Sequence, residues 1–148
     1  VCNAAYIHSR VRFEEGAPER DRPLAGQSPY LVNAGLFYQH DDKGISASLL
    51  YNRIGKRIES VGVPMQDQNE DIPDIYEMPR NSLDLTFSKK IGKAVEIKAG
   101  IQDMLNSKIE YKQFVKLTDQ NGGKREREQL VRSYRPGVDI NVGVSLKF

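Results

Sequence analysis

The sequence predicts an all-β chain, an antiparallel meander of about six strands, and three observations predict it. Apolar residues recur at every second position through several segments, which is the period of a strand and not of a helix. Clusters of Gly, Pro, Asp and Asn bound those segments, as turns require. The connections also alternate between long and short, the rhythm of hairpins laid side by side.

The clearest segment is the last, Gly137 to Phe148. Val138, Ile140, Val142, Val144, Leu146 and Phe148 fall on one face, against Asp139, Asn141, Gly143, Ser145 and Lys147 on the other. Its length is near the roughly 9–11 residues that a tilted strand needs to cross a bilayer. Taken in order, Asn3 to Phe13 alternates Ala5, Ile7, Val11 and Phe13 against a polar face, with Tyr6 disturbing the assignment. Glu14 to Ser28 carries Gly16, Pro18, Pro23 and Gly26 and reads as a loop. Pro29 to His40 sets Tyr30, Val32, Ala34, Leu36 and Tyr38 against Leu31, Asn33, Gly35, Phe37 and Gln39. Asp41 to Gly44 is a tight turn in which glycine supplies a positive φ.

Ile45 to Arg53 sets Ile45, Ala47, Leu49 and Tyr51 against Ser46, Ser48, Leu50 and Asn52. Lys56 to Arg80, with Pro64, Pro73 and Pro79, reads as one large loop. Asn81 to Ile91 alternates Leu83, Leu85 and Phe87 against Ser82, Asp84, Thr86 and Ser88, and Gly92 with Lys93 forms a second short turn. Ala94 to Met104 sets Val95, Ile97, Ala99 and Ile101 against Glu96, Lys98, Gly100 and Gln102. Between Leu105 and Pro136 we expect a projecting hairpin, Lys108 to Leu117 returning through Arg125 to Tyr134 about a turn at Asp119 to Lys124. A helix over Arg125 to Arg132 is the runner-up, because those residues are good helix formers.

Both short turns fall at one end of the meander and the long loops at the other, the asymmetry of outer-membrane barrels. Hydrophobic residues make up 39% of the 148, and no run approaches the roughly 18 apolar residues of a membrane helix. A barrel strand with a polar lumen face leaves a weaker trace. In lipid an open sheet edge would strand backbone polar groups, and the smallest bacterial barrels use about 8 strands. We therefore expect residues 1–148 to form the last part of a transmembrane β-barrel, a fragment whose plug and upstream strands are absent. The lack of an initiating Met and of a leader, with strand pattern from Val1 onward, leads to the same expectation. The net charge of +2, with 22 basic and 20 acidic residues interspersed, offers no face for nucleic acid.

The combination of GQSPYLVNAGLFYQ (Gly26 to Gln39), SLLYNRIGKRI (Ser48 to Ile58), DIYEMPRNSLDLTFSKKIGK (Asp74 to Lys93), IKAGIQDMLN (Ile97 to Asn106) and the Tyr134-Arg135-Pro136-Gly137 approach to a strand ending in Phe148 resembles the C-terminal barrel region of TonB-dependent outer-membrane receptors. The likeness is strongest to the branch, common in Bacteroidota, that carries a carboxypeptidase-regulatory-like domain before its plug. It covers nearly the whole chain from Gly26 onward. It implies a plugged barrel of about 22 strands, a bacterial outer-membrane location, and uptake of a nutrient or metal chelate energised by the TonB complex. That complex would act through N-terminal parts that this sequence lacks. The resemblance also implies that Phe148 is read by the barrel-insertion machinery.

On this reading the partners are outer-membrane lipid, the insertion machinery and an unidentified transported ligand. Asn33, Gln39, Ser48, Asn52, Asp84, Glu96, Lys98, Gln102, Asp139 and Asn141 are the candidate lumen-facing residues. No cofactor, metal site or catalytic residue is expected. His8 and His40 lie on different segments without ligand spacing. Asp67, Glu70, Asp71, Asp74 and Glu77 form an acidic loop without the spacing of a calcium motif. Gly122 and Gly123 sit in a turn and do not precede a helix. The lone Cys2 cannot form an internal disulfide. The basic run Lys124 to Arg132 reads first as a solvated face, with anionic lipopolysaccharide as a second reading. The competing class is a soluble all-β module, a sandwich or lipocalin-like barrel holding a small ligand.

Overall fold

The computed structural model describes residues 1–13, 22–63, 72–92, 94–118 and 124–146, with 116–118 and 124 described by backbone alone. It is all-β and antiparallel. The strands are β1 (Cys2–Tyr6), β2 (Tyr30–His40), β3 (Ile45–Ile54), β4 (Arg57–Ser60), β5 (Ile75–Glu77), β6 (Arg80–Ile91), β7 (Val95–Gln102), β8 (Ile109–Thr118), β9 (Lys124–Tyr134) and β10 (Asp139–Leu146). Six of them form a sheet in the order β1-β2-β3-β6-β7-β10, and the other four form a sheet in the order β4-β5-β8-β9.

The second sheet is the outward continuation of the first. Ile54 lies opposite Arg80 and Arg57 opposite Glu77, so the β3–β6 register runs unbroken into β4–β5 across Gly55 and Met78. Gly55 N still donates to Tyr30 O (3.1 Å), and Met78 N donates to Glu110 O (2.9 Å). Each long strand of the meander is thus broken at one level. The break is tightest between β7 and β8, where Asp103 (φ 52°) and Asn106 (φ 44°) take the left-handed conformation that short polar side chains tolerate. Their side chains stitch the corner. Asp103 N donates to Asp84 Oδ1 (2.8 Å), Arg80 pairs with the Asp103 carboxylate, and Gly137 N donates to Asn106 Oδ1 (3.0 Å).

One segment read as a loop is strand in part, and the expected projecting hairpin is present as β8 and β9. Residues 56–80 contain β4 and β5, with a further bridge at Val63 and Ile72, in place of one large loop. Arg125 to Arg132 is not helical but belongs to β9, because pairing along all of β8 outweighs local propensity. β1 is shorter than the alternation of Asn3 to Phe13 suggested. Its ladder ends where Ile7 N meets Pro29 O (2.9 Å), and Pro29 has no N–H to continue it. Ala4 and Tyr6, not Ala5, share the face of Val32 and Tyr30. The turns at 41–44 and 92–94 lie at the same end, with Gly44 (φ 56°) and Gly92 (φ 61°) left-handed. At the other end it is the β8–β9 hairpin that extends outward, and the turn read at its tip, residues 119–123, lies outside the described residues.

Register fixes the faces. Leu36, Leu49, Leu85, Ile101 and Ile140 stand in one row across five strands, and Tyr38, Ala47, Phe87, Ala99 and Val142 in the next. The first row is bulky throughout and the second alternates large and small side chains, both on one apolar face. No second layer covers that face among the described residues: Leu36 and Val142 are each 72% exposed. The buried hydrophobic side chains are Ile58, Ile109 and Tyr111, all in the outer four-stranded part. The accessible surface of 11050 Å² exceeds the roughly 7,700 Å² of a compact monomer of 16.8 kDa. No helix of the structure is long and apolar enough to cross a membrane, which says nothing of strands.

Candidate functional site

Opposite the apolar face lies a polar one, and all ten candidate residues fall on it. Asn33 faces Asn52, Ser48 faces Thr86, Asn141 and Thr86 both face Gly100, and Asp139 faces Gln102. Gln39 and Lys98 end the row that runs through Ser46 and Ser88, and Asp84 and Glu96 share the same parity on β6 and β7. Period-two alternation is what brings them together, since residues two apart on a strand point the same way.

The polar face is hydrogen-bonded to itself. Ser46 and Ser88 hydroxyls meet at 2.7 Å, and Ser48 and Thr86 at 2.5 Å, across the β3–β6 ladder. Gln39 Nε2 donates to Asp41 Oδ1 (2.7 Å), and Lys98 pairs with Glu96 at 3.4 Å. Asn52 Oδ1 is buried with no hydrogen-bond partner among the described residues. Asn141 folds over Gly100, where an added Cβ would sit 2.6 Å from its Oδ1. Asp84 is a structural acceptor rather than a free lining group, because it holds the corner amide of Asp103. Sequence reasoning had set Phe37 and Leu50 on this face without a role. They close over Gly35, leaving no room for a Cβ, which would lie 2.8 Å from the Phe37 ring. The Arg80–Asp103 corner went unforeseen, because its left-handed backbone leaves no hydropathy trace.

Further out, the same face carries a mixed aromatic and charged cluster. Lys56 Nζ lies 4.1 Å from the Tyr76 ring centroid and 3.9 Å from that of Phe114, and the two rings meet edge to face at 5.7 Å. Lys112 lies between Glu128 (2.6 Å) and Glu110 (3.2 Å), and Lys108 reaches Glu110 at 3.3 Å. Hydrogen bonds from Lys112 and then Lys108 hold the Glu110 carboxyl below its ordinary 4.5. Glu128, and then Glu110, hold Lys112 above its ordinary 10.5. A lowered acid contributes fully above its unfolded value and loses that as pH falls through the folded one; a raised base does the reverse. The β8–β9 hairpin should therefore keep one structure between 4.5 and 10.5 and loosen outside that window, which a chemical-shift titration of its amides would follow.

His40 Nδ1 accepts from Lys43 N at 3.4 Å, and His8 lies past the end of β1. Among the described residues no three His, Cys, Asp or Glu gather in a way that could hold a metal. Of the acidic loop, Asp74 accepts from Gly62 N (2.7 Å) and Glu77 pairs with Arg57 (2.7 Å). Asp67, Glu70, Asp71, Gly122, Gly123 and Phe148 lie outside the described residues. A shallow apolar hollow of about 340 Å³ opens beside β1, lined by Val1, Cys2, Ala34, Leu36, Leu49 and Tyr51. No protein-family model, curated protein or solved structure matches the chain.

Proposed function

We propose that this chain is the C-terminal wall of a transmembrane β-barrel in the bacterial outer membrane, part of a TonB-dependent receptor for energised uptake of a nutrient or metal chelate. The observation that carries the reading is the register of the six-stranded sheet, which gathers the apolar side chains of five neighbouring strands on one uncovered face. From Val138 to Leu146 that stripe is about 27 Å long at ~3.4 Å per residue, close to the ~25 Å apolar band of such barrels. Tyr6 and Tyr30 lie opposite each other at its outer end, as interfacial tyrosines do. The polar face, with its hydroxyl pairs and amides, is then the lining that a polar solute meets. Outer-membrane lipid and the insertion machinery are partners on this reading, and the TonB complex would act through other parts of the protein.

A soluble small-ligand module would have to cover the apolar face with a second sheet or close a barrel around it. The 72% exposure of Leu36 and Val142 speaks against that alternative. The two readings part in a labelling experiment on a Cys2→Ser background in detergent micelles. Leu85→Cys and Val142→Cys should be shielded from a water-soluble maleimide, while Thr86→Cys and Asn141→Cys should react freely. Equal reactivity of the four positions, or a monodisperse protein without detergent, would end the membrane reading.

A further inference from the structure

The charges of this molecule are sorted by face in a way that hydropathy does not require. On the strands, Asp84, Glu96, Glu110, Glu126, Glu128 and Asp139 all fall on the polar face or its outward continuation. The apolar face and its continuation carry two carboxylates, Glu77 and Glu59, and each is already taken, by Arg57 (2.7 Å) and Arg132 (3.9 Å). Cations remain there in excess. Arg53 stands at the outer end of the apolar rows, opposite Val32 and Asn81, and Arg127 stands beyond it opposite Val115.

Arg53 is set in a frame of neutral groups. Its Nη1 donates to Asn81 Oδ1 (3.0 Å), the Tyr51 hydroxyl donates to the same oxygen (2.8 Å), and the phenols of Tyr30 and Tyr51 lie within hydrogen-bonding reach of the guanidinium. No carboxylate neutralises it among the described residues. A guanidinium offers five N–H donors, more than Asn81 and the two phenols can take up. Its planar fork matches two phosphate oxygens at once. The flanking phenols are amphipathic groups that favour the level where acyl chains give way to headgroups.

We propose that the Arg53 guanidinium, framed by Tyr30, Tyr51 and Asn81 at the outer rim of the apolar face, binds the phosphate of an anionic lipid headgroup. The proposal rests on the membrane reading above and deepens it. The acyl chains of the bound lipid descend from Arg53 along the strands, across the apolar rows that hold Leu49 and Ala47, and Arg127 extends the positive field outward. Lys98, on the opposite face and paired with Glu96, takes no part.

The test uses the full chain in zwitterionic micelles doped with equal phosphatidylcholine and phosphatidylglycerol, with co-purified lipid counted by mass spectrometry. A cation near a charged membrane surface adds about five-fold to binding. Phosphatidylglycerol should therefore be enriched about five-fold or more, fall about five-fold in Arg53→Gln, recover partly in Arg53→Lys and stay unchanged in Lys98→Gln. Enrichment in the unaltered chain should also decline as salt rises, an arm that needs no substitution. Undiminished enrichment in Arg53→Gln, or enrichment indifferent to salt, overturns the proposal. The Leu85→Cys shielding described above is read in the same micelles. Shielding without phosphatidylglycerol preference overturns this proposal alone, and loss of shielding overturns the membrane reading together with it.

Discussion

Leu85→Arg is expected to cost the lipid-embedded sheet about 2–4 kcal/mol, the penalty for a cation near the midplane of a β-barrel's lipid face. Leu85 sits at the centre of the apolar row, flanked by Leu49 on β3 and Ile101 on β7. Its neighbours on both strands are apolar, so an arginine there has no carboxylate to meet and must reach past the next rows to water. Thr86→Arg carries the same charge one position along the strand and points to the opposite face, beside Ser48 and Gly100. It should cost under 1 kcal/mol by the surface-substitution norm. Asp84→Asn should be nearly silent as well, for a reason visible only in the structure: an asparagine keeps an oxygen to accept from Asp103 N. Urea titration of the three variants in lipid–detergent micelles reads the difference. Comparable losses for Leu85→Arg and Thr86→Arg would mean that both faces see the same medium, and the distinction of lipid from lumen would be abandoned.

How much of this was legible in the residues follows from what each face touches. Wherever the two sides of a strand differ in chemistry, the difference is written at period two, and β2, β3, β6, β7 and β10 were read with their faces correct. The ten candidate residues share one face for that reason. The outer half of the meander was harder because its pattern reverses. Arg57, Glu59 and Glu77 put charge on the continuation of the apolar face while Ile58 and Tyr76 put apolar bulk on that of the polar face, in runs of four and three residues too short for a period to show. Their order comes from pairs far apart in sequence, Arg57 with Glu77 and Lys112 with Glu128, which a local window cannot see. Arg125 to Arg132 was read as the returning strand of a hairpin with a helix as the runner-up, and the hairpin is what forms. Its residues favour a helix locally, yet pairing along the whole of β8 outweighs a few tenths of a kcal/mol per residue. The corner at Asp103 and Asn106 left no trace because left-handed backbone is a property of conformation, and Asp and Asn also occur for many other reasons.

Ile58→Ala should cost about 2–3 kcal/mol, the largest truncation effect in the molecule, and the loss should stay in the outer sheet. Ile58 is 1% exposed, in a chain where nearly every other large apolar side chain meets the surroundings. It stands opposite Tyr76, whose ring is held by Phe114 at 5.7 Å and by Lys56 at 4.1 Å, and its own carbonyl accepts from Gly26 N (2.8 Å). Truncation therefore opens a void beneath the cluster of Tyr76, Phe114 and Lys56. We place the cost toward the lower end of the ~2–5 kcal/mol range for core Ile→Ala changes, because a single sheet can sag into the void more easily than a two-layered core. At 1.4 kcal/mol per tenfold, amide exchange at Gly26 and along β4 and β5 should quicken by roughly two orders of magnitude. The β6–β7 ladder should hold its protection, because what surrounds its apolar face is not this cluster. If protection fell equally from Ile58 to Ile101, the outer four strands would not be a separate cooperative unit, and the break at Gly55 and Asp103 would be a bend in one sheet without energetic consequence.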